Sequence, residues 1–108
     1  MIRLNSKFEE EVLKNHYNLN WDDCMYYKDD FDGGFLAIGP DEMVGVLLRH
    51  FYQEERQVLN IFYGESRGDL WSVYYYNYKL PNYQGHVEGD TLLCALANMI
   101  EEIYHASN

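Results

Sequence analysis

Apolar residues recur at helical spacing in three stretches of the chain. The first stretch predicts a helix over residues 6–16, which begins at a Ser6-to-Glu9 capping box and ends among asparagines. The second predicts a helix over residues 41–55, although Gly45 inside it weakens the helix by about 1 kcal/mol relative to alanine. The third begins after a cap at Asp90 or Thr91. Its apolar stripe comprises Leu92, Leu93, Leu96, Met99, Ile100, Ile103 and Tyr104.

Runs of aromatic and apolar residues between these helices are typical of β-strands. Short loops join the runs in pairs, which predicts antiparallel hairpins. We therefore expect one α+β domain over residues 1–108, with an antiparallel four-stranded sheet, three helices and the order αββαββα. The predicted strands are 24–28, 35–38, 58–63 and 70–80; the hairpin loops are 29–34 and 64–69, and 81–89 is a polar loop.

The last predicted strand is aromatic on both faces. Alternation places Tyr74, Tyr76 and Tyr78 on one face. The other face carries Trp71, Val73 and Tyr75. One face belongs to the core, while the other is either a binding patch or lies under a second helical layer. This tyrosine-rich strand is also a candidate homodimer contact.

Residues 26–35, YYKDDFDGGF, raise the question of a calcium loop. With Gly33 at the sixth position of an EF-hand loop, the first position is Lys28 and the twelfth is Gly39. With Gly34 there, the twelfth position is Pro40. Both registers lack the required glutamate, so the pattern favours a hairpin loop over a calcium site.

Charge is concentrated in the same region. The chain carries a net charge of −10, and residues 21–42 contain seven acidic residues against one lysine. This balance argues against direct binding to nucleic acid or an anionic membrane and favours a basic partner. Acids interleaved with aromatics suit an arginine-rich surface, and the alternative is a merely solvated loop. The predicted partner-binding residues are Asp22, Asp23, Tyr26, Tyr27, Asp29, Asp30, Phe31, Asp32, Asp41, Glu42, Tyr76 and Tyr78.

No motif in the sequence indicates catalysis or metal binding. His16, His50, His86 and His105 lack paired ligand spacing, and residues 64–68 lack the lysine of a phosphate-binding loop. We therefore assign no catalytic, cofactor-binding or metal-binding residue and expect a protein that is not an enzyme. A small enzyme or a ligand-binding domain with a tyrosine-lined pocket stays as the alternative, because catalytic groups can assemble from distant positions.

The two cysteines, Cys24 and Cys94, are far apart in sequence, and no apolar leader precedes the first helix. No apolar run approaches the length of a membrane span. These features predict a cytoplasmic protein with reduced thiols.

The segment from Gly89 to Met99, GDTLLCALANM, resembles the final helix of small phage-encoded proteins with an α-β-α sandwich, and LWSV at residues 70–73 is similar to their preceding strand. In character the chain is similar to phage inhibitors of bacterial defence, anti-CRISPR proteins among them. Together with the net charge, the acidic hairpin and the lack of a catalytic motif, this similarity of character predicts a cytoplasmic inhibitor in a bacterial host, which blocks a basic nucleic-acid-binding protein or nuclease by mimicking nucleic acid. An immunity protein against a nuclease toxin is the alternative in the same class.

Overall fold

The structure is a computed structural model that describes residues 3–22, 25–29, 35–64, 68–76 and 84–106. Residues 6–17 form the first helix, α1, and residues 40–54 form α2. Both helices contain a π-helical segment, Glu9–Lys14 in α1 and His50–Glu54 in α2. The third helix, α3, spans Leu92–Ala106. The strands are β1 (Leu19–Asp22), β2 (Met25–Asp29), β3 (Phe35–Ile38), β4 (Val58–Tyr63), β5 (Trp71–Tyr76) and β6 (Gly85–Gly89).

The α+β class is confirmed, but the predicted single four-stranded sheet is wrong for the described residues. Six strands form two antiparallel three-stranded sheets, ordered β1-β2-β3 and β4-β5-β6. Strands β1 and β6 were not predicted from the sequence. Asn18 ends α1 in the left-handed conformation at φ 56°, so β1 starts at once where the asparagines suggested a loop. In β6 Val87 is the single buried side chain, which leaves little apolar signal in the sequence.

The core lies where the three helices meet the inner side of the second sheet. Helix α3 covers β5 and β6, so Val73, Tyr75 and Val87 pack beneath it. Leu19 connects the first sheet to the same core. The buried apolar residues are Leu4, Phe8, Val12, Leu13, Leu19, Met43, Leu47, Phe51, Leu59, Val73, Tyr75, Val87, Ala95, Leu96, Met99, Ile100 and Ile103.

The cap of α1 lies one residue earlier than the sequence pattern indicated. The side-chain oxygen of Asn5, and not that of Ser6, accepts hydrogen bonds from the backbone N–H groups of Lys7 and Phe8 at 2.9 and 3.2 Å. The Asn5 amide also donates to Glu101 Oε2 on α3 at 3.0 Å. Asn5 therefore caps one helix and connects it to another.

Two glycines of β6 allow close approach to neighbouring elements. A Cβ atom on Gly89 would lie 2.4 Å from the backbone nitrogen of Ala95 in α3. A Cβ atom on Gly85 would lie 2.7 Å from the hydroxyl oxygen of Tyr75, its cross-strand partner. Because neither glycine has a side chain, β6 can lie close against α3 and β5.

None of the helices described here is long and apolar enough to pass through a lipid bilayer.

Candidate partner-binding surface

The first sheet separates the predicted acidic residues into two groups. Its register places Asp22 opposite Met25 and Asp29 opposite Phe35, at opposite ends of β2. Five residues of extended chain separate these ends by about 13 Å. The predicted β2–β3 hairpin is confirmed by its pairing, and Tyr26 and Tyr27 occupy its second and third positions. Asp23, Asp30, Phe31, Asp32 and Tyr78 lie outside the described residues.

Asp41 and Glu42 belong to the Asp22 end of this sheet. Ile38 pairs with Tyr26, so the chain leaves β3 close to Met25 and then enters α2. Both acidic side chains are exposed in the first turn of α2, where the helix dipole favours negative charge. Glu42 Oε2 also accepts a hydrogen bond from the Gly39 backbone N–H at 2.7 Å. Glu42 thus has a local structural role that the sequence analysis did not assign.

The second sheet has an outer face, which we define as the side away from α3. Alternation along β5 turns Val73 and Tyr75 into the core and leaves Tyr74 and Tyr76 together on the outer face. The predicted division of the strand into these two faces is confirmed. Phe62 of β4, 46% exposed, lies on the same side. The outer face comprises Val58, Asn60, Phe62, Ser72, Tyr74, Tyr76, His86 and Glu88.

Aromatic rings cross this outer face from strand to strand. The rings of Phe62 and Tyr74 meet edge to face, with centroids 5.9 Å apart. Tyr74 stacks on His86 at 4.2 Å, with only 14° between the ring planes. Phe62, Tyr74 and His86, which we call the ring ladder, therefore present a continuous aromatic surface across three strands.

A buried hydroxyl lies beneath the ring ladder. Ser72 pairs with Phe62 on one side and Glu88 on the other, and its side chain is on the outer side because Val73 is in the core. Ser72 is 0% exposed, and its Oγ has no hydrogen-bond partner in the described part of the protein. A buried hydroxyl without a partner is costly, so this atom is a place where a ligand could gain a hydrogen bond.

An acidic cleft of about 470 Å³ lies between β6 and α3, next to the outer face. His86 and Glu88 line it on the strand side, and Glu101 and Glu102 line it on the helix side. The Tyr75 hydroxyl donates to Glu102 Oε2 at 2.5 Å. Burial, together with this hydrogen bond and the carboxylate charge, raises the pKa of Tyr75. Tyr75 thus stays a hydrogen-bond donor at neutral pH.

A second polar cluster joins the ends of α1 and α2 around His50, which is 5% exposed. Tyr17 Oη lies 2.9 Å from His50 Nδ1. His50 Nε2 lies 3.2 Å from Glu55 Oε1, an electrostatic contact without hydrogen-bond geometry. Tyr104 of α3 also donates to Glu55 Oε1, at 3.4 Å. The cluster therefore connects all three helices.

His16 and His50 lack paired ligand spacing in the sequence, yet their ring centroids lie 6.3 Å apart. One signal for His50 was present, because it follows Met43 and Leu47 on the buried stripe of α2. Burial and the charge of Glu54 raise the pKa of Tyr17, so its hydroxyl keeps its proton and can donate to His50 Nδ1. The cluster therefore holds the helices together through the Tyr17–His50 hydrogen bond.

Among the described residues, no three His, Cys, Asp or Glu side chains are arranged to hold a metal ion. Comparisons with protein-family models, with curated proteins and with solved structures found no match to this chain. The resemblance to small phage proteins stays a prediction.

Proposed function

We propose that this protein is a binding protein that blocks a basic, nucleic-acid-handling partner, in the manner of phage inhibitors of bacterial defence nucleases. The observation that carries the proposal is the ring ladder, with Phe62 exposed and Tyr74 half-buried, in a chain of net charge −10. Phe62 is 46% exposed and its ring meets that of Tyr74, and contiguous apolar patches at a surface mark interaction sites. Interfaces are rich in such rings, because each supplies a large contact area at low entropic cost.

Charge supports the identity of the partner. Carboxylates speed the approach of a basic protein and exclude acidic ones, while buried rings provide most of the binding energy. The two acidic ends of the first sheet, about 13 Å apart along β2, offer separate positions where carboxylates replace phosphates. In this proposal Asp29, Asp30 and Asp32 act at one end and Asp22, Asp23, Asp41 and Glu42 act at the other.

The proposal is tested by capturing a target protein and then measuring whether this chain inhibits its activity. The tagged protein is incubated with nuclease-treated bacterial lysate, bound proteins are eluted with a salt gradient and identified, and each target is then purified. We expect a nucleic-acid-handling protein whose nucleic-acid binding or cleavage is inhibited by stoichiometric addition of this chain. The identity of the target also separates a defence nuclease from a toxin with its immunity protein.

A matched pair of variants locates the inhibitory charge. Reversal of Asp29, Asp30 and Asp32 to lysine should abolish inhibition, whereas reversal of Glu10, Glu11 and Asp69 changes the net charge equally and should preserve it. The control residues are exposed and belong to other segments of the chain than the hairpin. Equal inhibition by the two triple variants, or retention of no basic protein, would contradict the proposal.

A further inference from the structure

The outer face of the second sheet combines three features that suit a ligand. It has the ring ladder of Phe62, Tyr74 and His86, the unpartnered Ser72 hydroxyl beneath it, and the Glu88 carboxylate at its border. A ligand for this surface needs a flat cationic group that stacks on rings and donates several hydrogen bonds. The guanidinium group of arginine meets all of these requirements.

We propose that the outer face of the second sheet binds an arginine side chain from an extended basic segment of a protein partner. This inference rests on the proposed function and names the chemical group that is recognised. The guanidinium group stacks on the Tyr74–His86 pair, donates to the Glu88 carboxylate and reaches Ser72 Oγ between Phe62 and Glu88.

Both cross-strand neighbours of Ser72 have side chains that reach solvent. Ser72 pairs across the sheet with Phe62, which is 46% exposed, and with Glu88, whose side chain is 33% exposed. Exposed side chains change rotamer within nanoseconds, so they can open access to the hydroxyl without a change in the backbone. Glu88 Oε1 lies 3.8 Å from His86 Nε2, and a carboxylate has room to accept further donors.

Arginine fits better than lysine or a nucleobase. Lysine can satisfy the charge of Glu88, but its ammonium group is compact and strongly hydrated and has no plane to stack on rings. A nucleobase could stack on the ring ladder, but its strand would carry phosphates toward a chain of net charge −10. The acidic cleft that continues from His86 and Glu88 to Glu101 and Glu102 extends the preference for positive charge along the partner segment.

The inference can be tested with two peptides of equal length and charge, repeats of Gly-Ser-Arg and of Gly-Ser-Lys. Backbone amide spectra of the full-length labelled protein map the contact, and calorimetry at low salt measures Kd. We expect the arginine peptide to shift the resonances of residues 60–62, 72–76 and 86–88. It should bind about 3- to 30-fold more tightly than the lysine peptide, the range of one stacked cation with a charge-assisted hydrogen bond.

Matched variants separate local recognition from overall charge. Tyr74→Leu and Glu88→Gln should each weaken binding of the arginine peptide by about 3- to 30-fold. Tyr63→Leu removes a more exposed ring, 59%, from the opposite side of β4, and Glu11→Gln removes an exposed charge on α1. Both controls should bind within about twofold of the parent. If Tyr74→Leu does not fold, Phe62→Leu at the exposed sheet edge replaces it.

Equal binding of both peptides, tighter binding of a single-stranded oligonucleotide, or shifts confined to residues 22–36 would overturn the inference. The last result would leave the proposed function standing, because it moves recognition to the acidic hairpin. Failure of the inference also differs from failure of the function in the capture experiment. A basic target whose inhibition is unchanged by Tyr74→Leu refutes only the arginine site, whereas the absence of any basic target refutes both.

Discussion

Replacement of Gly89 by alanine tests how closely β6 must lie against α3. The added Cβ would lie 2.4 Å from the Ala95 nitrogen, 2.8 Å from the Cys94 carbonyl carbon and 2.9 Å from the Ala95 Cα. All three are backbone atoms near the start of α3, so no side-chain rotation can relieve the overlap. Strand or helix must shift, and overpacking of this kind costs about 1–3 kcal/mol.

The same substitution at Gly45 is the matched control with the opposite sign. Gly45 lies inside α2, and no described atom outside its own helix lies within 4 Å of a Cβ built there. Alanine at this position avoids the entropic cost of a helical glycine and should stabilise the protein by about 0.5–1 kcal/mol. The finding also shows that Gly45 is not needed for close packing of α2 against the described residues.

Urea unfolding followed by circular dichroism measures both variants, with thermal unfolding as a second reading. At about 4–8 °C for each kcal/mol, Gly89→Ala should lower Tm clearly, while Gly45→Ala should raise it by a few degrees. An unchanged m-value would show that the effect lies in the stability of the folded state. A Gly89→Ala protein as stable as the parent would refute the close approach of β6 to α3.

Three further predictions concern the polar groups around the helices. Tyr75→Phe should cost about 1–2 kcal/mol at neutral pH. Because the fold raises the pKa of Tyr75 above its ordinary 10.0, the parent should lose stability as the pH rises above that value. Urea unfolding across the same pH range should show a shallower loss for the variant. Tyr17→Phe and His50→Leu each remove the same hydrogen bond. In a double-mutant cycle, the loss of unfolding free energy in the double variant should be smaller than the sum of the two single losses, by about 0.5–1.5 kcal/mol. Strict additivity would exclude the bond. Asn5→Ala should cost about 0.5–2 kcal/mol, whereas Ser6→Ala should change stability by less than about 0.5 kcal/mol in the same unfolding assay. A larger loss of stability for Ser6→Ala than for Asn5→Ala would place the cap at Ser6.

The sequence predicted those parts of the fold in which hydrophobic spacing is strong. All three helices were found because several apolar residues recur at helical spacing, and the hairpins β2–β3 and β4–β5 were found because short polar loops separate aromatic runs. Strand β6 was missed because Val87 alone anchors it. Its place in the sheet depends on Gly85 and Gly89, because a side chain at either position would overlap Tyr75 or the backbone of α3.

The candidate surface was predictable only in part, because it depends on register. Alternation correctly separated Tyr75, in the core, from Tyr74 and Tyr76 on the outer face. No periodicity in one segment could show that His86 would stack on Tyr74 from a neighbouring strand, since the partner is set by the pairing of β5 with β6. The acidic stretch looked continuous in sequence, but β2 separates its two ends.

In both described sheets, each strand pairs with the strand that follows it along the chain, and this order bears on how the protein folds. Such hairpins close only short loops, so they can form early and quickly. The long-range step is the arrival of α3, because its Tyr104 ring meets Phe8 at 5.2 Å and its apolar face covers β5 and β6. During synthesis, the nascent chain therefore holds an uncovered second sheet until residues 92–106 have emerged from the ribosome. An uncovered apolar sheet face favours aggregation during that interval.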